Sequence, residues 1–173
     1  MGDLEARIKT QKKLGGLFSK DLYSKWIAQL LCGLHHVHQN NVIHRDIKSQ
    51  NIFLKSEGDI LIGDFGVSKK DNIAATFIGS PYYVSPEMVA GKKYSQMTDV
   101  WSLGVLFYEI VTLGYPFTSR SFNQFDIQEK ILRGYYSDPP QSIDPVVRQM
   151  IKSMLVVNPR KRVLLETLLG NMI

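Results

Sequence analysis

The stretch that decides the fold is His44-Arg45-Asp46-Ile47-Lys48-Ser49-Gln50-Asn51-Ile52-Phe53-Leu54, continued by Asp59-Ile60-Leu61-Ile62-Gly63-Asp64-Phe65-Gly66. Asn51 to Leu54 and Asp59 to Ile62 are short, mostly apolar runs separated by Lys55-Ser56-Glu57-Gly58, the pattern of a small β-hairpin. A hairpin brings the segment before its first strand beside the segment after its second. Asp46, Asn51 and Asp64 therefore converge, three oxygen-bearing side chains at one point. Such a set suits Mg²⁺, a hard cation that takes a few protein oxygens and fills its octahedron with water and substrate phosphates. Phosphoryl transfer is the chemistry that follows.

Upstream, Leu22, Trp26, Ile27, Leu30, Leu31, Leu34 and Val37 recur at spacings of three and four, which predicts one buried face of a long helix with Ser19 as its cap. Downstream, residues 63–84 show no period and are rich in Gly, Ser and Thr, the signature of a long functional loop. Ser85, Pro86 and Gly91 then read as cap, first-turn proline and terminator of a short helix. Met97 to Leu113 is apolar on nearly all sides, as expected of a central buried helix. Phe122 to Arg133, closed by Gly134, and a segment opened by Asp144-Pro145 read as further helices, with a last one from near Val163. The fold class is mainly α with a small β-hairpin.

At 173 residues and 44% hydrophobic, one domain can bury a sizeable core without disulfides or metals. The net charge of +5 is spread over short pairs such as Lys12-Lys13, Lys69-Lys70 and Lys92-Lys93, which disfavours a nucleic-acid partner. No apolar run approaches the roughly 18 residues of a membrane span, and no signal peptide is evident, so a soluble protein with no membrane partner is expected. The lone Cys32, set in an apolar helical pattern where a free thiol behaves as a small hydrophobe, fits a reducing, intracellular compartment. Gly2 is not read as a lipidation site, because Ala6 stands where a hydroxyl residue is needed. His35, His36 and His38 lie near a helix end without a fourth ligand and are assigned packing or surface roles, not zinc. Tyr82, Tyr83, Phe107, Tyr108, Trp26 and Trp101 read as packing residues.

Taken together, His44-Arg45-Asp46 through Asn51, Asp64-Phe65-Gly66, and Gly79-Ser80-Pro81-Tyr82-Tyr83-Val84-Ser85-Pro86-Glu87 resemble the protein kinases, the template for phosphoryl transfer. Ile47-Lys48-Ser49-Gln50-Asn51-Ile52-Phe53-Leu54 with Gly63-Asp64-Phe65-Gly66 is most similar to the NIMA-related serine/threonine kinases. The resemblance runs from Gly2 to about Arg162 and weakens between Thr118 and Ser142, and Val163 stands where a proline is usual. It implies a kinase C-terminal lobe over residues 1–173, from just after the interlobe hinge to the start of the last helix.

By that resemblance Asp46 accepts the proton of the attacking hydroxyl, Lys48 steadies the phosphoryl group, and Asn51 and Asp64 hold the magnesium ions. ATP is the implied cofactor, with Asp3 as a ribose contact or, on the alternative reading, only a helix cap, and with Lys48, Asn51, Phe53 and Asp64 on the nucleotide side. Thr76 is the implied phosphorylation site, its added charge pairing with Arg45. Ser80 lies in the substrate site, and Lys48 with Ser80 points to serine and threonine acceptors rather than tyrosine. Glu87 is expected to pair with Arg162 in a buried ion pair, and Asp99 to bond the catalytic-loop backbone. Protein substrates and regulatory protein partners are implied, in the cytoplasm, with nuclear or cytoskeletal association as family alternatives.

Nothing in these residues resembles the Gly-rich loop, the strand lysine that grips the phosphates, or its glutamate partner. Residues 1–173 alone are therefore expected not to catalyse, and two classes follow: a kinase represented by its C-terminal lobe, or a noncatalytic half-kinase that binds partners. The retained Asp46, Lys48, Asn51 and Asp64 favour the first.

Overall fold

The computed structural model describes residues 2–55, 58–64, 81–119, 121 and 123–170. Over these residues the chain is mainly helical, with one two-stranded antiparallel sheet. Helix α1 (Leu4–Leu14) starts where Asp3 Oδ1 accepts the Ala6 N–H at 2.7 Å, and basic Lys12 and Lys13 complement the dipole at its end. Helix α2 (Lys20–Gln39) starts at Ser19, whose Oγ accepts the Leu22 N–H, and buries Trp26, Ile27, Leu30, Leu31, Leu34 and Val37. Cys32 departs from the apolar pattern expected of it: it faces solvent, because the apolar stripe of α2 passes beside it on Leu31 and Leu34.

Strands β1 (Ile52–Leu54) and β2 (Ile60–Ile62) pair with Ile52 opposite Ile62 and Phe53 opposite Leu61. An isolated hairpin is marginal in water. This one is held against α2. Trp26 Nε1 donates to the Gly58 carbonyl at 2.9 Å, Gln29 accepts the Ile60 N–H and donates to Asp59, and Lys25 pairs with Asp59 at 2.7 Å. Gly33 permits the approach, since a Cβ there would stand 3.2 Å from Ile62 Cδ1. Alternation then buries Ile52 and Ile60 and leaves Phe53 and Leu61 exposed on the opposite face.

Helices α3 (Pro86–Val89), α4 (Met97–Thr112), α5 (Gln124–Arg133), α6 (Pro145–Met154) and α7 (Leu165–Gly170) follow. Ser85 precedes α3 but does not cap it; its hydroxyl bonds Thr98 Oγ1 at 2.6 Å, and Pro86 already removes one of the N–H groups a cap would serve. Asn123 caps α5 two residues later than the sequence pattern suggests, and Asp144 caps α6 through the Val146 N–H. The centre is α4, buried from Thr98 to Val111. It packs on α6 at Gly104, where a Cβ would come within 2.8 Å of Met154 Cβ, too close for any larger residue without a shift. No helix among the described residues is long and apolar enough to cross a membrane.

Two polar links tie this core to its surroundings. Arg162 grips Glu87 of α3 bidentately, at 2.9 and 3.0 Å, and also donates to the carbonyls of Met97, Val156 and Val157 while lying over the Trp101 ring. Both side chains are buried. The second link is Glu109 on α4, whose Oε2 accepts the Tyr83 hydroxyl and whose Oε1 accepts that of Ser49. Burial outweighs these hydrogen bonds and pushes the Glu109 carboxyl from its ordinary 4.5 up to about 7.

Arg162→Met strands the Glu87 carboxylate in the interior, and a loss of about 3–5 kcal/mol is expected in urea unfolding. A loss below about 1 kcal/mol would mean that the pair is replaceable by packing. For Glu109 the sign follows from a folded-state value above the unfolded one. Below about pH 4.5 the group is protonated in both states, and from there to about pH 7 only the unfolded chain ionises. Its contribution to stability is therefore lost as pH rises through that window. Glu109→Gln, which cannot ionise, is expected to show a flatter stability profile over that range; parallel profiles for the two proteins would contradict the shift.

Candidate active site

The loop from His44 to Asn51 is shaped by one buried carboxylate. Asp99, in the first turn of α4, accepts the Arg45 N–H on Oδ1 and the His44 N–H on Oδ2, both at 2.8 Å. His38, at the end of α2, bonds the same Oδ2 at 2.9 Å. Arg45 takes a φ of +68°, a left-handed conformation that an L-residue adopts at a cost and that persists where neighbours impose it. The two hydrogen bonds to Asp99 impose it here. They turn the chain sharply at Arg45, after which Ile47 and Ser49 point into the core while Asp46 and Lys48 stay partly exposed.

Past this turn, Asp46 Oδ2 accepts from Lys48 Nζ at 2.9 Å and from Asn51 Nδ2 at 3.0 Å, and Asn51 Nδ2 also reaches the Asp46 carbonyl at 2.8 Å. A short 3₁₀ turn, Ser49–Asn51, returns the chain into β1 and makes this closure possible. Gly63 follows β2 and donates its N–H to the Asn51 carbonyl at 2.9 Å, and His44 Nε2 bonds the Gly63 carbonyl at 3.1 Å. Since the Asp46 N–H points to His44 Nδ1 at 3.3 Å, Nε2 is the protonated nitrogen of the pair. Asp64, exposed and with a φ of +52°, stands at the next position. Asp46, Lys48 and Asn51 are thus in mutual contact, and Asp64 follows Gly63, whose N–H the hairpin bonds to the Asn51 carbonyl.

These donors fit a hard cation. The Asn51 amide nitrogen is spent on Asp46, which leaves the side-chain oxygen for a metal, and Asp64 is exposed. Among the described residues no three His, Cys, Asp or Glu side chains are gathered to hold a metal ion. A site built on Asn51 and Asp64 would rely on phosphate and water for its remaining positions. Beside it, Asp3 forms an isolated bridge to Phe53, and the Leu54 N–H bonds the Gly2 carbonyl at 3.0 Å, so the start of α1 flanks β1. Asp3 caps α1, and the exposed Phe53 ring lies over Gly63, where a Cβ would fall 2.4 Å from Phe53 Cε2.

Other residues singled out in the sequence stand elsewhere. Phe65, Gly66, Thr76 and Ser80 lie outside the described residues. The exposed Arg45 guanidinium rests over the Tyr94 ring at 5.7 Å. Glu87 of α3 and Arg162 form the expected buried ion pair. Sequence reasoning missed His38, which is bonded to Asp99 rather than serving as a packing or surface residue, and Ser49, which joins Tyr83 and Glu109. Glu109 had a legible signal, an acidic residue inside the apolar run Val105-Leu106-Phe107-Tyr108-Glu109-Ile110-Val111. Nothing in the spacing marks His38 or Ser49.

A family model described as the protein kinase domain matches residues 1–171. The chain is 38% identical to human serine/threonine-protein kinase Nek5 over 97% of its length, which is 24% of that protein. It is 39% identical to mouse serine/threonine-protein kinase Nek3, again over 97% of the chain, and spans 33% of that relative. A probable serine/threonine-protein kinase, nek2 of Dictyostelium discoideum, is 37% identical over 98% of the chain and is spanned to 41%. The chain thus covers less than half the length of each of these relatives. With the family model matched almost end to end and these relatives all of one kind, the chain belongs to the protein kinase domain family and is similar to its NIMA-related serine/threonine branch.

Proposed function

We propose that residues 1–173 form the C-terminal lobe of a kinase that transfers the γ-phosphoryl group of ATP to serine or threonine hydroxyls of protein substrates. The observation that carries this reading is the closure of Asp46, Lys48 and Asn51 on one another, with Asp64 following Gly63 at the end of the hairpin. Lys48 and Asn51 both bond Oδ2 of Asp46, so Oδ1 is the oxygen offered to an incoming hydroxyl proton. Lys48 carries its ammonium group beside that carboxylate, where it balances charge on a phosphoryl group in transfer. Asn51 and Asp64 would hold magnesium, which neutralises the phosphate charge when bound with ATP. The exposed Phe53 ring offers a flat apolar surface for the base, and Asp3 a carboxylate for the ribose.

The protein family supports a serine/threonine kinase, and three finer roles are part of the proposal. Thr76, once phosphorylated, pairs with Arg45; Ser80 contributes to the substrate site; regulatory proteins engage the region from Thr118 to Ser142. Residues 1–173 alone are expected to be inactive, because the phosphate-gripping lysine and its partners have no counterpart in them.

The test is transfer from labelled ATP and Mg²⁺ to serine, threonine and tyrosine peptides by the full-length kinase. Asp46→Asn is expected to lower the rate by about 10² to 10⁴ with an unchanged melting temperature, as loss of a positioned base does. A rate within twofold of the parent would remove Asp46 from the mechanism, and label on tyrosine alone would overturn the acceptor class.

A further inference from the structure

Ser49 follows Lys48 directly and is 1% exposed. Its backbone N–H and its hydroxyl both meet the Tyr83 hydroxyl, at 3.4 and 3.0 Å, and the hydroxyl also donates to Glu109 Oε1 at 3.2 Å. Tyr83 in turn donates to Glu109 Oε2. Three oxygen groups from three segments thus form a triangle, and the Tyr115 hydroxyl joins it from outside through hydrogen bonds to Tyr83 and Glu109. One belongs to the loop carrying Asp46 and Lys48, one to the segment that follows Ser80, and one to α4.

The surroundings make this triangle stiff. Ser49, Tyr83 and Glu109 are all nearly inaccessible to water. Tyr115 meets the Tyr83 ring edge-on at 5.9 Å and stacks on Tyr82 at 4.1 Å, with the two ring planes only 2° apart. The Tyr83 carbonyl is fixed by the Ser102 hydroxyl at 2.8 Å. In so dry a setting each hydrogen bond is strong and water cannot replace a lost partner. A shift of Tyr83 must therefore be felt at Ser49, one peptide bond from Lys48.

We infer that Ser49 is a positioning residue: through the Ser49, Tyr83 and Glu109 triangle, the segment at Pro81–Tyr83 fixes the catalytic loop at Lys48. The inference rests on the reading of Asp46 and Lys48 as the reacting pair, yet its mechanical part is testable without any transfer. The Asn51 N–H bonds the Lys48 carbonyl at 3.0 Å and does not touch Tyr83, so its exchange with solvent reports on the loop itself.

Tyr83→Phe and Ser49→Ala in the full-length kinase, compared by amide hydrogen exchange, supply the test. Exchange at Asn51 is expected to rise at least about tenfold in both, at a melting temperature within a few degrees of the parent. A change confined to Ser49 itself, or Asn51 exchange within twofold of the parent in both variants, would overturn the inference. In the same proteins, kcat is expected to fall about tenfold with KM for ATP unchanged, and the two substitutions together to cost no more than either alone. Additive losses would count against a single unit. Absence of transfer in the parent would sink the proposed function, while the exchange data would still decide for or against the triangle.

Discussion

A single buried carboxylate organises the functional end of this molecule. Asp99 is removed from water inside a helix that is otherwise packed with Trp101, Leu103 and Phe107. Such burial costs on the order of several kcal/mol unless the lone pairs are satisfied. They are satisfied by the His44 and Arg45 N–H groups and by His38. The same bonds hold Arg45 in its left-handed conformation, and that turn lets the following residues close into the Asp46, Lys48 and Asn51 cluster. Without the core of α4 there would be no dry place for Asp99, and without Asp99 the loop would have no reason to turn.

How far this was legible depends on the range of each interaction. The hairpin, the buried stripe of α2 and the apolar character of α4 are local, and their periods are written in consecutive residues. Asp46, Asn51 and Asp64 could be brought together from the hairpin alone. Asp99 with His44 and Glu87 with Arg162 are 55 and 75 residues apart, and spacing carries no information on such pairs. They entered through family resemblance. His38 and Ser49 entered through neither route: each is an ordinary polar residue whose partner lies about 60 positions away. Ser85 misled for a related reason, since a cap is a local rule and its hydroxyl was claimed by a distant Thr98.

Polar and apolar interactions divide their labour clearly here. Apolar burial brings α2, α4 and α6 together but tolerates sliding, because dispersion contacts have little directional preference. The buried polar contacts are directional. Gln29 and Trp26 set the hairpin on α2, Asp99 sets the loop, and Arg162 sets α3. Each joins an irregular segment to a helix, so the helices act as a fixed frame and the loops inherit their precision from it.

One consequence concerns the length of α4. Its two buried carboxylates, Asp99 and Glu109, grasp the two ends of the same loop, at His44-Arg45 and at Ser49. Ten residues of helix rise about 15 Å. The helix therefore fixes the spacing of the two grips, and the loop, which bends at Arg45, is held at both ends against it. Inserting or deleting one residue between the two carboxylates would displace one grip by about 1.5 Å and swing it about 100° around the axis. Substitutions along that span can be absorbed by repacking, whereas a change in its count of residues cannot.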